Sequence, residues 1–169
     1  MVETVRREHR YRLSVTWTGN RGEGTRSYTA YSRDHEVSAE GKAALLGSSD
    51  PAFRGDPTRW SPEELLVAAL SQCHMLWYLH LCSAAGIVVT AYEDSPEGVL
   101  DENRDGSGQF VRTILRPRIT LADPGRAAQA AGLHSRAHEL CFIARSVNFP
   151  VEVEITAPVA EASLGDPAT

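Results

Sequence analysis

Residues 61–86 read SPEELLVAALSQCHMLWYLHLCSAAG, and this segment decides the fold. Ser61 can cap a helix, Pro62 suits the first helical turn, and Glu64 completes a capping box three residues after the serine. Apolar side chains then fill most positions up to Gly86, a residue at which helices commonly stop. The segment therefore predicts one long helix that is buried on most of its sides.

The segments on either side of this helix have the patterns of β-strands. The expected strands are residues 11–18, 26–32, 87–93, 110–121 and 151–155. A polar hairpin loop is expected over residues 101–108, and a second helix over residues 126–145. Strands that come in hairpins rather than as alternating crossover units indicate an α+β fold. We expect a single domain over residues 1–160 and a flexible tail over residues 161–169.

The composition is that of an ordinary globular protein. The 169 residues include 42% hydrophobic and 23% charged residues and carry a net charge of −5. A general nucleic-acid binder would usually have a basic excess instead. The first ten residues contain no apolar signal segment, and polar residues such as His74 and His80 interrupt the longest apolar stretch, unlike a membrane span. We expect a soluble cytoplasmic protein without a nucleic-acid or membrane partner.

The chain contains three cysteines, which in a reducing compartment do not form a structural framework. Cys73 and Cys82 are nine residues apart on the first helix, about 13.5 Å along its axis, so they cannot form a disulfide. Cys82 is expected to be a buried packing residue. If two of the thiols form a redox couple, the pair is Cys73 with Cys141 of the second helix. Cys73 as a plain core residue also remains open at this point.

A reactive Cys73 would need a cation from outside its helix, because an apolar environment disfavours a thiolate. The loop before the helix offers Arg54 and Arg59, and the first hairpin offers Arg21 and Arg26.

A metal site is an alternative interpretation of the second helix. His134, His138 and Cys141 share one helix face, because they occupy positions i, i+4 and i+7. Nitrogen and sulfur ligands of this kind suit zinc or iron. The sequence has no CxxC pair, although closed zinc sites usually contain such pairs. It also has no phosphate-binding glycine loop or dinucleotide fingerprint, so no nucleotide or flavin cofactor is expected.

Three segments together resemble the OsmC/Ohr family, the osmotically inducible protein C and organic hydroperoxide resistance proteins. Residues 61–73 resemble the first cysteine helix of that family, residues 137–141 its second cysteine helix, and residues 17–25 its opening hairpin. The resemblance covers residues 11 to 155. It implies an OsmC-like α+β fold, in which antiparallel β-sheets pack around two long central helices in an intertwined homodimer.

The resemblance also implies an enzyme, a two-cysteine peroxidase that reduces organic hydroperoxides in oxidative-stress defence. By position, Cys73 matches the peroxidatic cysteine, Cys141 the resolving cysteine, and Glu63 the glutamate that orients a catalytic arginine. That arginine is Arg54 by the pattern of the OsmC branch or Arg21 by that of the Ohr branch, and we favour Arg54. The family implies no bound cofactor, only an external dithiol reductant such as lipoyl groups.

Helix geometry agrees with the implied homodimer. Glu63 precedes Cys73 by ten residues, about 15 Å along one helix, so it cannot assist that thiol within its own chain. If both residues act at one site, Glu63 comes from the partner chain.

Apolar residues near Cys73 are expected either to form a substrate pocket or to belong to the core; they are Leu70, Met75, Leu76, Trp77 and Tyr78.

The sequence departs from the family pattern directly after Cys141. Residues 142–144 read FIA, where many members have a proline and a small polar residue. This departure predicts a more regular helix around Cys141 and a less exposed thiol, which would hinder disulfide formation. The alternative function is therefore a non-catalytic OsmC-like protein that binds a small apolar ligand. A metal-dependent enzyme that uses His134, His138 and Cys141 is a third interpretation.

Overall fold

The computed structural model of the protein describes residues 7–156 and 159–160. The chain divides into two compact units, residues 1–63 and residues 64–169. The single domain predicted for residues 1–160 stays a prediction. The flexible tail predicted for residues 161–169 lies outside the described residues.

The first unit contains a three-stranded antiparallel sheet. Its strands pair in chain order and are β1 (Ser14–Trp17), β2 (His35–Ser38) and β3 (Leu45–Gly47). The returning strand predicted over residues 26–32 is wrong, because that segment consists of turns and bends. Gly22 and Gly24 have positive φ angles of 105° and 56°, and the side chain of Asn20 accepts hydrogen bonds from both of their N–H groups. These turns lengthen the connection, so the chain returns only at β2.

The long helix predicted from the sequence is confirmed as α1 (Pro62–Ala84). Gly86 follows it with a φ of 67°, a conformation that ends helices. The buried residues of α1 recur every fourth position, so they form a single stripe; they are Leu70, His74, Tyr78 and Cys82. Leu76 is 63% exposed. The prediction that α1 is buried on most of its sides is therefore wrong for the single chain, because all of its fully buried side chains lie on one stripe.

By length and composition alone, α1 is also apolar enough to cross a membrane. The core helix of a soluble protein passes the same test, so this property is weak evidence for a membrane span.

Two further sheets belong to the second unit. Their strands are β4 (Val89–Asp94), β5 (Glu97–Glu102), β6 (Gly108–Leu115), β7 (Pro117–Leu121), β8 (Val151–Val153) and β9 (Val159–Ala160). The sheet orders are β4-β7-β9 and β5-β6-β8. The pairs β4–β7 and β5–β6 are antiparallel, and β6–β8 and β7–β9 are parallel. The fold thus combines helices with largely hairpin-connected strands, as the sequence predicted.

Two details of these sheets correct the sequence prediction. The single strand expected over residues 110–121 is two strands, because the chain passes from one sheet to the other at Arg116. The backbone N–H of Arg116 donates to the carboxylate of Asp94 at 2.7 Å, which holds this transition in place. The strand β5 was missed, because its sequence EGVLDE is half acidic and lacks a clear alternation. The hairpin loop consequently joins β5 to β6, not β4 to β6.

The second helix, α2 (Ala127–Leu140), is confirmed but ends before the predicted residue 145. An apolar cluster joins α1, α2 and β7; its buried residues are Tyr78, Cys82, Ile87, Ile119, Leu121, Ala130 and Ala137. Cys82 is 1% exposed, which confirms its predicted packing role. This cluster holds the two helices together and so positions the residues that follow.

Candidate functional site

The second unit places Cys73 and Cys141 near each other. Cys73 lies on α1, and Cys141 is the residue that follows the last turn of α2. The side chain of Cys73 is close enough to that of Cys141 to raise the pKa of the Cys141 thiol, and no disulfide joins them. Both are free thiols. The packing of α1 on α2 therefore places side by side the two cysteines that the sequence singled out.

Cys141 is 1% exposed and sits at the C-terminal end of α2. Burial, and then the neighbouring Cys73 side chain, raise the pKa of Cys141 to about 11. Cys141 is therefore a neutral thiol near neutral pH. The partial negative charge at a helix C-terminus also disfavours a thiolate at this position.

The structure answers both expectations about the segment after Cys141. The thiol of Cys141 is buried, which confirms the prediction that it is little exposed. The predicted regular helix is wrong, because Cys141 has an extended backbone with a ψ of 109°. In a continued helix the N–H of Ala144 would donate to the carbonyl of Leu140. Instead it donates to the sulfur of Cys141, with a nitrogen–sulfur distance of 3.4 Å.

An apolar groove lies on the same face of α1 as Cys73. Cys73 is half-buried, and Leu76, Trp77 and His80 follow it at positions i+3, i+4 and i+7. These three residues line a cavity of about 280 Å³. The ring of Phe142 packs edge-to-face on Trp77, with 5.7 Å between centroids. The phenylalanine that departs from the family pattern thus contacts the wall of the groove.

The five pocket residues suggested by the sequence do not all line the groove. Leu76 and Trp77 line the groove. Leu70 and Tyr78 are 0% exposed and belong to the core instead. Met75 is half-buried and does not line this cavity.

A buried pair of histidines joins α1 to α2. Nε2 of His74 and Nδ1 of His134 lie 2.9 Å apart and share one hydrogen bond, whose donor depends on the tautomer. Both residues are 1% exposed. The ring of Tyr78 stacks on His134 with 4.1 Å between centroids. Burial lowers the pKa of each histidine to about 4, so both rings are neutral near neutral pH.

The sequence interpretation missed this pair. The available signal was the position of His74 in the four-residue repeat of buried residues on α1, between Leu70 and Tyr78. The proximity of His138 lowers the pKa of His74 further, whereas that of Asp94 opposes the shift.

The metal site suggested for the second helix finds no support in this geometry. Nδ1 of His134 shares a hydrogen bond with His74, and the sulfur of Cys141 accepts a hydrogen bond from the N–H of Ala144. Among the residues that the structure describes, no group of three His, Cys, Asp or Glu side chains could hold a metal ion. His134, His138 and Cys141 share a helix face without forming a ligand set.

The charged residues expected at the site lie in the first unit. Arg21 and Arg54 are exposed, and within the described part of the chain neither forms an ion pair. Arg54 has a positive φ of 65° at the end of a short helical turn. Glu63 is half-buried, and its Oε2 atom is buried without a hydrogen-bond partner among the described residues. A buried carboxylate oxygen of this kind favours a cation as neighbour.

Arg33 is a fixed guanidinium that the sequence did not single out. It stacks over the rings of Tyr28 and Tyr31, with its Cζ atom 4.1 and 4.5 Å from their centroids. Nη1 donates to the carbonyl of Tyr31 at 2.9 Å, and Nη2 is buried without a partner among the described residues. Arg59 likewise has a buried, unpartnered Nη1 in this part of the chain. No local sequence pattern marks Arg33, whereas Arg59 was among the candidate cations of the loop before α1.

Comparisons with known proteins agree with one another. Residues 55–156 match the family model described as OsmC-like protein. An OsmC-like protein of unknown function from Vibrio cholerae is 32% identical, with a TM-score of 0.77, over 88% of this chain and 100% of that chain. No curated protein matches the chain in sequence.

More distant structures share the fold. An OsmC-like protein from Mycoplasma pneumoniae is 11% identical, with a TM-score of 0.67, over 91% of this chain and 99% of its own. An organic hydroperoxide resistance protein from Elizabethkingia anophelis is 16% identical, with a TM-score of 0.60, over 91% and 98%.

Proposed function

Because this chain belongs to the OsmC-like protein family and has the α+β fold of that family, we propose that it is a two-cysteine peroxidase that reduces organic hydroperoxides. The proximity of Cys73 on α1 to Cys141 at the end of α2 is the observation that carries the proposal. Proteins of the same fold from Elizabethkingia anophelis and Legionella pneumophila are named organic hydroperoxide resistance proteins, which supports a role in oxidative-stress defence.

In the first step, Cys73 is the attacking residue. It is half-buried and lies on the same face of α1 as the groove, whereas Cys141 is 1% exposed and has its pKa raised to about 11. The Cys73 thiolate attacks the distal oxygen of the hydroperoxide, and the O–O bond breaks. The alkoxide leaves and takes up a proton to become an alcohol. Cys73 remains as a sulfenic acid.

In the second step, Cys141 resolves the sulfenic acid. As a neutral thiol it brings the proton that the departing hydroxyl needs, so the products are a Cys73–Cys141 disulfide and water. An external dithiol then reopens the disulfide by exchange, and a lipoyl group is the reductant that the family suggests. The proposed cycle needs no bound cofactor. We place it in the cytoplasm, without a nucleic-acid or membrane partner.

The groove supports an apolar substrate. Leu76 and Trp77 line it, and Phe142 packs against Trp77. Side chains of this kind favour the alkyl or aryl part of an organic hydroperoxide over hydrogen peroxide, which has no apolar surface to bury.

We further propose that the chain acts as a homodimer. The apolar face predicted for the first strand is open to solvent: Tyr11 is 87% exposed, Val15 63% and Trp17 43%. Such a face is suited to contact with a second copy of the chain. The position of Glu63, about 15 Å along α1 from Cys73, agrees with a site that two chains complete. A monomeric mass in solution would contradict this arrangement.

The activating cation is proposed to be Arg54, or Arg21, oriented by Glu63 of the other chain. A guanidinium stabilises the thiolate and can donate hydrogen bonds to the peroxide oxygens. Exposed arginines are free to move toward a bound substrate, whereas Arg33 is clamped by two tyrosines. We therefore expect Arg54→Ala to lower kcat/KM more than Arg33→Ala does. Equal losses in the two variants, measured with the same hydroperoxide, would reject this assignment.

Counting thiols tests the proposed function directly. One equivalent of cumene hydroperoxide, added to the reduced protein, should remove two of its three thiols per chain, as measured with a thiol reagent after denaturation. Cys82 should survive, because it packs in the core cluster and lies about 13.5 Å along α1 from Cys73. Hydrogen peroxide at the same concentration should act more slowly. A protein that keeps all three thiols would instead support the non-catalytic alternative, a protein that binds a small apolar ligand.

A further inference from the structure

The core between α1 and α2 contains a polar contact next to the two cysteines. His74 follows Cys73 directly on α1, and His134 lies two turns before Cys141 on the same face of α2. Their ring nitrogens meet at 2.9 Å. On one side the ring of Tyr78 stacks on His134, in the apolar cluster that joins the helices. The titratable groups that act on the pair are His138 and Asp94, both of which affect the pKa of His74.

Stability alone does not account for this pair. The outer ring nitrogens, Nδ1 of His74 and Nε2 of His134, are buried without hydrogen-bond partners among the described residues. Burying an unsatisfied polar atom opposes folding, so apolar side chains of similar shape would be easier to bury here. What the pair provides instead is one preferred geometry for the packing of α1 on α2. Apolar surfaces tolerate small slides and rotations, whereas two ring nitrogens meet in one arrangement only.

We propose that the hydrogen bond between His74 and His134 sets the register of α1 against α2 and thereby keeps the Cys73 and Cys141 side chains next to each other. A single buried polar contact can fix helix register at a cost in stability. A slide of one helical turn, about 5.4 Å, would carry the two cysteines beyond the distance that a disulfide allows. Both histidines are positioning residues, since the hydrogen bond of each joins it to the other ring. This inference rests on the proposed disulfide.

Amide side chains provide matched variants. The amide of asparagine lies near the position of a histidine Nδ1, and that of glutamine near the position of Nε2. The double variant His74→Gln/His134→Asn therefore keeps the contact. The swapped variant His74→Asn/His134→Gln has the same composition, but neither amide group lies where the bonding ring nitrogen was, so the contact is lost. The variant His74→Leu/His134→Leu removes the contact and keeps the volume apolar.

The readout is the equilibrium between the Cys73–Cys141 disulfide and dithiothreitol, measured in a Cys82→Ser background so that two thiols remain. Two protein thiols and oxidised dithiothreitol give the protein disulfide and reduced dithiothreitol. We expect the equilibrium constant to fall at least about tenfold in the leucine and swapped variants. The Gln/Asn variant should stay within about twofold of the parent. The leucine variant should melt at the parental temperature or above it.

Three results would overturn the inference. The first is a folded leucine variant with the parental equilibrium constant. The second is a fall in the melting temperature and in the disulfide equilibrium constant that is equal in all three variants. That result would show that the histidines act through packing alone. The third is a parent protein that forms no disulfide, which would overturn the proposed function as well. The first two results leave the proposed function intact, so the two failures can be told apart.

Discussion

Replacing Cys73 with serine is expected to lower kcat/KM for an organic hydroperoxide at least about a thousandfold, to the rate of the uncatalysed reaction. A serine hydroxyl occupies nearly the same volume, but it is far less acidic than a thiol and attacks peroxide oxygen poorly. The loss would therefore report on chemistry rather than on packing. The assay follows the consumption of cumene hydroperoxide with a dithiol as reductant.

Cys82→Ser is the matched control for this prediction. Cys82 lies on the same helix and is 1% exposed, but it packs in the core cluster and does not contact Cys141. The same substitution there should leave kcat/KM at the parental value, provided that the far-ultraviolet circular dichroism spectrum of the protein is retained. A Cys73→Ser protein that consumes hydroperoxide at the parental rate would end the proposed mechanism.

Replacing Cys141 with serine should separate the two steps. The first equivalent of hydroperoxide is expected to react as in the parent, because the attacking thiol is intact. Steady-state turnover should then fall about a hundredfold, since the sulfenic acid has lost its intramolecular partner and waits for a thiol from solution. Mass spectrometry should find Cys73 with one added oxygen atom, and excess hydroperoxide should oxidise it further.

The same experiment on Cys82→Ser should give the intact Cys73–Cys141 disulfide. A Cys141→Ser protein with full turnover would show that Cys141 has no resolving role. A disulfide between Cys73 and Cys82 would contradict the helix, because nine helical residues separate those thiols by about 13.5 Å along the axis.

Features that depend on neighbours in sequence were predicted well. The capping residues and apolar run of residues 61–86 indicated α1, and the glycine after it marked its end. The same local reasoning separated Cys73 from Cys82. The strands were less certain. The returning strand moved to His35–Ser38, and β5 was missed, because a strand is stabilised by partners that lie elsewhere in the chain.

The sequence by itself determined the helix that carries Cys73, the mixed α+β class and, through its cysteine motifs, the family. Only the tertiary structure decided that Cys73 lies near Cys141, that the pKa of Cys141 rises to about 11, and that His74 bonds His134. The reason is physical. Helix formation depends on residues a few positions apart, whereas a thiol's acidity and a histidine's partner depend on which helix faces pack together and on how much water they exclude.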